Sequence, residues 1–532
     1  LALVGIAALV GGAWWVGTQT GFPEARSEDA PVAAATARPG LADAPEVGAD
    51  DRPSIAVLPF RDMSPAGDQA YFSDGITEEI LNTLVKVDGL KVAARTSAFA
   101  FRGEDLDMRA IGDSLDVGYL IEGSVRKAGD QLRITAQLID SEDGTHLWSE
   151  AYNRELDDVF AIQIEIARAI AEALRLPLGL AEDDELVNPT SDLEAYDLYL
   201  EGRARIRERG ESLREAIRLF EEALAHDSTW APAWAALAEA LELYSWYQPN
   251  WEFEPRDGAE ALRHRRMLWS EAEAAARRAL ALDAELPSAR VALGSVYRNR
   301  REWSAAEREY RLALDLDPDN PEAHQQYADL LGNMGRIREA RISAERAVRL
   351  DPAPVRRRML TGILWADGRY DESFRVKRAL IAAYPESPVT PALKNLHYLH
   401  AMQLGRFEEA LEYGPDPWEK WAGATREQHE QMVRALQAGD PTMVPNGALG
   451  RDSHLTALTW HFFDEPERAL TAIRRTFAES PDQQNIWLWH PVFDPIRQRP
   501  EFQEILARLN LDGRTVDRTP RSADEAMTDP TP

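Results

Sequence analysis

Residues 287–320 read PSARVALGSVYRNRREWSAAEREYRLALDLDPDN, and residues 321–354 read PEAHQQYADLLGNMGRIREARISAERAVRLDPAP. A shift of 34 places brings the two segments into register, with small, apolar and proline residues at matching positions. The matching pairs are Leu293 and Tyr327, Gly294 and Ala328, Tyr297 and Leu331, Ala306 and Ala340, Tyr310 and Ala344, Ala313 and Ala347, and Pro318 and Pro352. An ordinary helical bundle does not keep alanine and proline in such a register, so the pattern predicts stacked helical hairpins.

This spacing is typical of the tetratricopeptide repeat, whose hairpins stack into an all-α superhelical solenoid. Small residues let the two antiparallel helices of a hairpin approach closely, and proline ends the second helix. Weaker copies flank the two clear repeats, marked by Ala216, Trp234, Ala272, Gly368 and Gly405. We therefore expect the solenoid at 191–414, degenerate helical repeats and a cap at 415–512, and a disordered tail at 513–532.

A different pattern occupies residues 53–180. Short β-rich runs alternate there with amphipathic segments, which predicts a small α+β domain. Strands are predicted at 54–60, 90–94, 119–126, 132–140 and 146–152, and a short helix at 108–115. Asp74 and Thr77 precede a helical period through Ile80, Leu81, Leu84 and Val85, which predicts that another helix starts there. The spacing of Leu156, Val159, Phe160, Ile166, Ile170 and Leu174 predicts a closing helix. We expect this domain to unfold separately from the solenoid.

The same segment carries a family resemblance. Its runs are SIAVLPF (54–60), YFSDGITEEI (71–80), VAARTSAFAF (92–101), YLIEGSVR (119–126), LRITAQLID (132–140), GTHLWSEAYNREL (144–156) and DDVFAIQIEIA (157–167). Together they resemble the TolB-amino-terminal-like domain of bacterial membrane signalling proteins, which lies just outside a membrane span and ahead of repeats. The resemblance implies a fold and a context but no reaction. It also implies an effector upstream of the span: a class III nucleotide cyclase, a serine/threonine kinase or a winged-helix DNA-binding domain.

The first residues predict a membrane anchor. Residues 1–16 are apolar or glycine, end in Trp14 and Trp15, and begin without Met, so we expect a transmembrane helix at 1–17 that is truncated at its start. A signal peptide is the alternative. Residues 18–52 are rich in Ala, Pro and Gly, which predicts a disordered tether. Because no basic cluster follows the span, we expect a single-pass protein of the bacterial inner membrane with its bulk in the periplasm.

The composition excludes several function classes. A net charge of −30 repels polyphosphates, so nucleic acid is not an expected partner. The absence of cysteine excludes disulfides and thiolate metal sites. No phosphate-binding glycine loop, zinc-protease motif or serine-hydrolase motif is present, so we expect neither catalysis nor a cofactor. His397 and His400 lie one helical turn apart, but with no clear third ligand they are interpreted as ordinary helix positions.

The candidate binding surface is the concave face, which the first helix of each hairpin lines. Its polar positions between packing residues give the predicted peptide-binding set: Ser295, Arg298, Asn299, Gln325, Asp329 and Asn333. Asn299 and Asn333 occupy the same place in consecutive repeats and, with Arg298, could hold a peptide backbone or a carboxylate. The alternative is that all are merely solvent-facing. The aromatic insertion at 246–253 is a second candidate, unless it fills a gap within its own hairpin.

Two hypotheses of function remain open. In the first, the chain is a sensory or docking module of a transmembrane signalling protein and binds a protein or peptide. In the second, it is an effector-free envelope scaffold or assembly protein. The sequence leaves the partner and the oligomeric state open. Reading the gene upstream of Leu1 would separate the two hypotheses.

Overall fold

The structure is a computed structural model that describes the chain between residues 53 and 517 with gaps. The described residues are 53–85, 90–102, 107–129, 131–155, 192–208, 210–247, 258–383, 404–413, 426–444, 463–479 and 486–511, together with 159, 162, 165–166, 169–170, 173, 190, 393–394, 397, 400–401, 460, 514 and 516–517. The predicted span at 1–17 and the predicted tether at 18–52 lie outside them. Among the described residues, no helix is both long and apolar enough to cross a bilayer.

One six-stranded sheet forms the amino-terminal domain. Its strands are β1 (Ser54–Val57), β2 (Arg61–Asp62), β3 (Lys91–Val92), β4 (Tyr119–Ala128), β5 (Gln131–Asp140) and β6 (His146–Glu155). They lie in the order β3, β1, β4, β5, β6, with β2 also paired to β4. β1 is parallel to β3 and β4, whereas β4, β5 and β6 form an antiparallel meander. The predicted strands are confirmed, although β1 and β3 are shorter than expected.

Helices cover both faces of this sheet. α1 (Ala70–Val85) packs on one face, and Val159, Ile162, Ile166 and Ile170, at helical spacing, are buried in the same core. α2 (Arg95–Phe99) and α3 (Met108–Leu115) accompany the smaller core of the opposite face. Leu156, Phe160 and Leu174 of the predicted closing helix lie outside the described residues.

The predicted start of α1 was wrong. α1 begins at Ala70, four residues before Asp74, and Thr77 is buried inside the helix. The Thr77 hydroxyl donates to the carbonyl of Ser73 and accepts the backbone N–H of Phe60, at 2.8 and 3.1 Å. The Thr77 hydroxyl therefore holds the segment after β1 by a hydrogen bond and does not cap a helix.

Helical hairpins make up the rest of the described chain. Hairpins 1 to 5 pair α4 (Leu193–Glu208) with α5 (Ser212–His226), α6 (Ala231–Tyr247) with α7 (Gly258–Leu282), α8 (Pro287–Asn299) with α9 (Trp303–Leu316), α10 (Pro321–Asn333) with α11 (Ile337–Leu350), and α12 (Pro354–Ala366) with α13 (Tyr370–Ala383). Later helices are α14 (Phe407–Tyr413), α15 (Arg426–Ala438), α16 (Pro466–Glu479), α17 (Asp494–Arg497) and α18 (Pro500–Arg508). Ala306, Ala313, Ala340 and Ala347 are fully buried, which confirms their predicted packing role.

One turn geometry joins the two helices of successive hairpins. A residue with positive φ ends the first helix, and the next backbone N–H donates to the carbonyl five residues earlier. The positive-φ residues are Arg301, Gly335, Gly368, Gly405, Gly439 and Asp464. The turn at Asp464 precedes α16, where Ala469 is fully buried, so hairpin geometry continues where the sequence repeat has decayed.

The carboxy-terminal segment packs along the side of the solenoid. The indole N–H of Trp489 donates to the Asn333 carbonyl at 2.9 Å, and that of Trp303 donates to the Leu509 carbonyl at 3.0 Å. Asp517, predicted to lie in the disordered tail, exchanges backbone bonds with Gly335 and Arg338. The segment therefore packs against the turns of hairpins 3 and 4 through hydrogen bonds in both directions, donating to Asn333 and Gly335 and accepting from Trp303 and Arg338.

Candidate polypeptide-binding face

The six predicted binding residues lie on α8 and α10, the first helices of hairpins 3 and 4. Arg298 is at their centre, with its side chain 10% exposed. Its guanidinium pairs with Asp329 at 3.0 Å and with Glu242 of α6 at 3.4 Å, and it also bonds Gln326. Asn299 donates to the same Glu242 carboxylate at 2.8 Å. One arginine thus connects the first helices of hairpins 2, 3 and 4.

The remaining members are engaged within the protein or are partly buried. The Ser295 hydroxyl is 3.0 Å from the Tyr310 hydroxyl, and both residues are buried. Asn333 is 3% exposed and donates to the carbonyl and carboxylate of Asp329, at 2.8 and 3.2 Å. Gln325 is half-buried on α10. Asn299 thus bonds a carboxylate of the adjacent first helix α6, whereas Asn333 bonds Asp329 one turn earlier on its own helix. The predicted peptide-binding role of both asparagines stays a prediction.

The electrostatics favour a charged arginine inside this network. Burial acts to lower the pKa of Arg298, but surrounding groups that include the carboxylates of Asp329 and Glu242 raise the pKa above its ordinary value. The guanidinium therefore stays protonated inside the network. The arrangement is a buried charge network rather than a set of solvated side chains.

The network extends along the first helices in both directions. Toward hairpin 5, Arg356 of α12 pairs with Glu322 of α10 at 3.2 Å and with Asp351. Toward hairpin 1, Arg203 of α4 pairs with Glu239 of α6 at 2.8 Å. We call this series the charge ladder, defined as Arg203, Glu239, Glu242, Arg298, Asp329, Glu322, Arg356 and Asp351. Five carboxylates face three guanidiniums in it, so acidic groups outnumber basic ones in the ladder by two.

The α+β domain touches the ladder at both ends. Glu78 of α1 pairs with Arg95, Arg203 and Arg207 at 3.2, 3.2 and 3.4 Å. Desolvation acts to raise the pKa of Glu78. The three guanidiniums, of which Arg203 contributes most, outweigh it and hold the pKa of Glu78 below its ordinary value. At the other end, the Ser97 hydroxyl of α2 donates to Asp351 at 3.3 Å. No local sequence signal indicates these contacts, since Ser97 and Asp351 are 254 residues apart.

A second polar cluster lies inside hairpin 5 and the segment after it. Lys377 is fully buried on α13, its ammonium group against the ring of His400 and 5.2 Å from the rings of Trp365 and Phe374. His397 contacts the Glu409 carboxylate at 2.8 Å. Glu409 also lines an open cleft of about 460 Å³ with Arg406, Phe407 and Gln437. His397 and His400 thus face different partners and do not converge on one ligand.

One feature of the sequence indicates this cluster. Counted from the positive-φ residue of each hairpin turn, Lys377 occupies the same place as Tyr310 and Ala344. Both of those are core positions, so a lysine there is anomalous. Of the aromatic insertion, Trp246 and Tyr247 end α6, whereas 248–253 lie outside the described residues. That candidate stays a prediction.

Comparison with family models identifies the repeats. Two tetratricopeptide-repeat models match residues 287–330 and 321–354. These segments are tetratricopeptide repeats. Repeats of this kind mediate protein–protein interaction, which gives the chain a binding role. A third model, the second domain of HilA/YgeH-like transcriptional regulators, matches residues 50–169. The model that matches this domain was not expected from the sequence, and the TolB-like resemblance stays a prediction.

Individual relatives add context. The chain is 44% identical over 202 residues to Putative adenylate cyclase 3 of Rhizobium meliloti (strain 1021), an alignment that covers 38% of this chain and 34% of the relative. The chain thus spans about one third of that relative's length.

Solved structures also align with parts of the chain. A thermophilic tetratricopeptide-repeat protein of Thermus thermophilus is 16% identical with a TM-score of 0.30, covering 36% of this chain and 93% of its own. TolB of Acinetobacter baumannii is 16% identical with a TM-score of 0.18, covering 24% of this chain and 29% of its own.

Proposed function

We propose that this chain is the partner-binding part of a membrane-anchored signalling protein and that it binds a basic polypeptide on the charge ladder. The observation that carries the proposal is the continuous ladder across five consecutive first helices. Stacked hairpins present an elongated surface, which suits a chain-like ligand better than a compact metabolite. The excess of carboxylates supplies the complementarity for cationic side chains.

The test is capture from a bacterial envelope extract by residues 53–532, with chemical crosslinking and mass spectrometry. Asp329→Asn removes one ladder charge and keeps the side-chain shape. We expect it to weaken binding of the captured protein about tenfold, and to reduce the salt dependence of that binding. Asp315→Asn is the matched control, because Asp315 is exposed on α9 outside the ladder. Capture at unchanged affinity by Asp329→Asn would place the binding surface elsewhere.

The membrane location is a further part of the proposal. It is supported by the apolar residues 1–16 and by the tether without a basic cluster at 18–52. We expect protease added to spheroplasts to digest the chain after Thr20. Full protection, with the membrane intact and the protease shown to be active, would contradict a periplasmic location.

The signalling role is supported by the similarity to Putative adenylate cyclase 3. The alternative is an effector-free scaffold. Expression of the complete reading frame, followed by assays for cyclic AMP synthesis and protein phosphorylation, tests the choice between them. A frame that encodes no cyclase, kinase or winged-helix segment upstream of Leu1 would favour the scaffold.

A further inference from the structure

The short helix α2 connects the two ends of the charge ladder. Its first residue, Arg95, bonds Glu78 at 3.2 Å, and Glu78 in turn holds Arg203 of hairpin 1. Two residues later, Ser97 donates to Asp351, in the turn that leads to hairpin 5. The first and fifth hairpins are therefore both bonded to the α+β domain, at sites that are two residues apart on α2.

The segment around α2 also has the chemistry that the ladder favours. The guanidiniums of Arg95 and Arg102 lie 4.0 and 5.4 Å from the centre of the Phe99 ring. Arg102 pairs with Asp74. The segment around α2 is thus basic and carries an aromatic side chain. Its arginines pair with Glu78 and Asp74 of α1, and α2 contacts the ladder itself through the hydroxyl of Ser97.

We infer that α2 is an intramolecular occupant of the ladder face, and that a polypeptide partner must displace it to bind. This inference rests on the proposed function for the identity of the ligand, but the occupancy of the face does not depend on it. The site is the ladder between hairpins 1 and 5, and the competing ligand is a basic polypeptide of the same chemical character as α2.

The two ends of α2 are held unequally. At hairpin 1, Glu78 has three arginine partners, and Leu200 packs so closely on Gly75 of α1 that an added Cβ there would meet it at 2.5 Å. At hairpin 5, the described contact is one hydroxyl–carboxylate bond of 3.3 Å. Displacement therefore begins at Ser97, while the Glu78 cluster keeps the domain attached.

The experiment exploits the absence of cysteine from the chain. Gln325→Cys places one thiol on α10, one helical turn after Glu322 of the ladder. The measurement is the rate of alkylation by a bulky polymer-linked maleimide divided by the rate with N-ethylmaleimide. Occupancy by α2 obstructs the bulky reagent more than the small one, so the ratio reports how open the face is. Arg349→Cys, exposed at the end of α11, is the reference thiol.

Ser97→Glu sets a carboxylate against Asp351, whose arginine partner Arg356 is already shared with Glu322. We expect this change to raise the ratio at residue 325 about tenfold and to leave it unchanged at residue 349. Ser114→Glu, on an exposed serine of α3, is the matched control and should have no effect. Ser97→Ala removes only the hydrogen bond, so a smaller increase is expected if the glutamate variant is too unstable to measure.

An unchanged ratio in both folded Ser97 variants would overturn the inference. An increase, together with stronger capture of the envelope partner by Ser97→Glu, would support displacement. An increased ratio at residue 325, with no partner captured by the unmodified chain or by Ser97→Glu, would support occupancy by α2 and contradict the proposed polypeptide ligand. An increased ratio with equal capture of the partner by the unmodified chain and by Ser97→Glu would show that the partner binds away from the α2 contact.

Discussion

Single residues at the hairpin turns fix how the carboxy-terminal segment lies on the solenoid. Gly335 adopts a φ of 81°, and its carbonyl accepts the backbone N–H of Asp517. The Trp489 ring covers it so closely that an added Cβ would lie 3.0 Å from ring carbons. Glycine is needed here for two reasons, the left-handed backbone and the absence of a side chain.

We predict that Gly335→Ala lowers the free energy of unfolding by about 2–3 kcal/mol, about 1 kcal/mol from the left-handed backbone and the rest from displacement of Trp489. Gly439→Ala is the matched control, because Gly439 has a φ of 63° and no atom within 4 Å of the added Cβ. Gly439→Ala should lower the free energy of unfolding only by the contribution of the left-handed backbone, about 1 kcal/mol. Chemical denaturation measures both. Equal losses would show that Trp489 does not press on the turn.

A second residue-scale prediction concerns Lys377. Burial lowers the pKa of Lys377 well below its ordinary value, so the unfolded chain binds more protons than the folded one. The stability that depends on this amine is complete above about pH 10.4 and is lost as the pH falls through the folded pKa. Lys377→Met should therefore raise the free energy of unfolding at pH 7 by about 1–3 kcal/mol. The free energy of unfolding of this variant should also increase less between pH 7 and 10.

Denaturation across that pH range tests the prediction, with Lys394→Met as the control at an exposed lysine. The loss of stability on the acid side should be smaller but still present in Lys377→Met, because burial is the largest cause of the low pKa of His397 and Lys377 adds to it. Burial lowers the pKa of His397 to about 4, and the stability linked to it is lost as the pH falls from about 6.5 to 4. A loss of stability in Lys377→Met at pH 7 would show that the amine holds a structural contact that outweighs its burial.

At the scale of elements, the hairpins depend on alanines where two helices meet. Ala313 is fully buried on α9, and its counterpart Ala347 is fully buried on α11. We predict that Ala313→Leu costs about 1–3 kcal/mol by overpacking. Hydrogen exchange should show the loss first in hairpins 3 and 4, because solenoid contacts are local. Leu312→Ala, at an exposed neighbour, is the control. Uniform loss across the solenoid would contradict local packing.

The helices and strands could be predicted from sequence because their signals are local. A period of 34 residues predicts hairpins 3 and 4, and alternation of apolar residues predicts β4 and β5. The charge ladder could not be predicted, because its partners come from helices far apart in the chain. Asn299 and Glu242 are 57 residues apart, and which carboxylate meets which amide depends on how the hairpins stack. The sequence pattern of a polar residue between packing positions is the same whether that residue faces solvent or a neighbouring helix.

At the scale of the whole molecule, the sheet domain and the solenoid share a core. Phe72 and Ile76 of α1 belong to the same buried cluster as Tyr196 and Leu200 of α4. Asp197 of α4 accepts from Tyr71 at 3.1 Å and pairs with Lys127 of β4 at 3.3 Å. These contacts favour coupled unfolding of the sheet domain with hairpin 1, in place of the separate unfolding expected from the sequence.

Glu78 is the residue on which this coupling depends most. Its side chain is 16% exposed and lies among three guanidiniums. Burial, together with the neighbouring guanidiniums of Arg95 and Arg203, lowers the pKa of Arg207 to about 10. The cations are therefore already poorly solvated and need the carboxylate. We predict that Glu78→Gln costs about 2–3 kcal/mol, because it removes the carboxylate that three partly buried arginines share. Hydrogen exchange should show reduced protection in α1 and α4 together, with α16 unchanged. Glu142→Gln, at an exposed turn of the sheet domain, should change neither helix. Loss in α1 with α4 fully protected would mean that the two domains are stable independently, and that the ladder ends at Arg203 without the sheet domain.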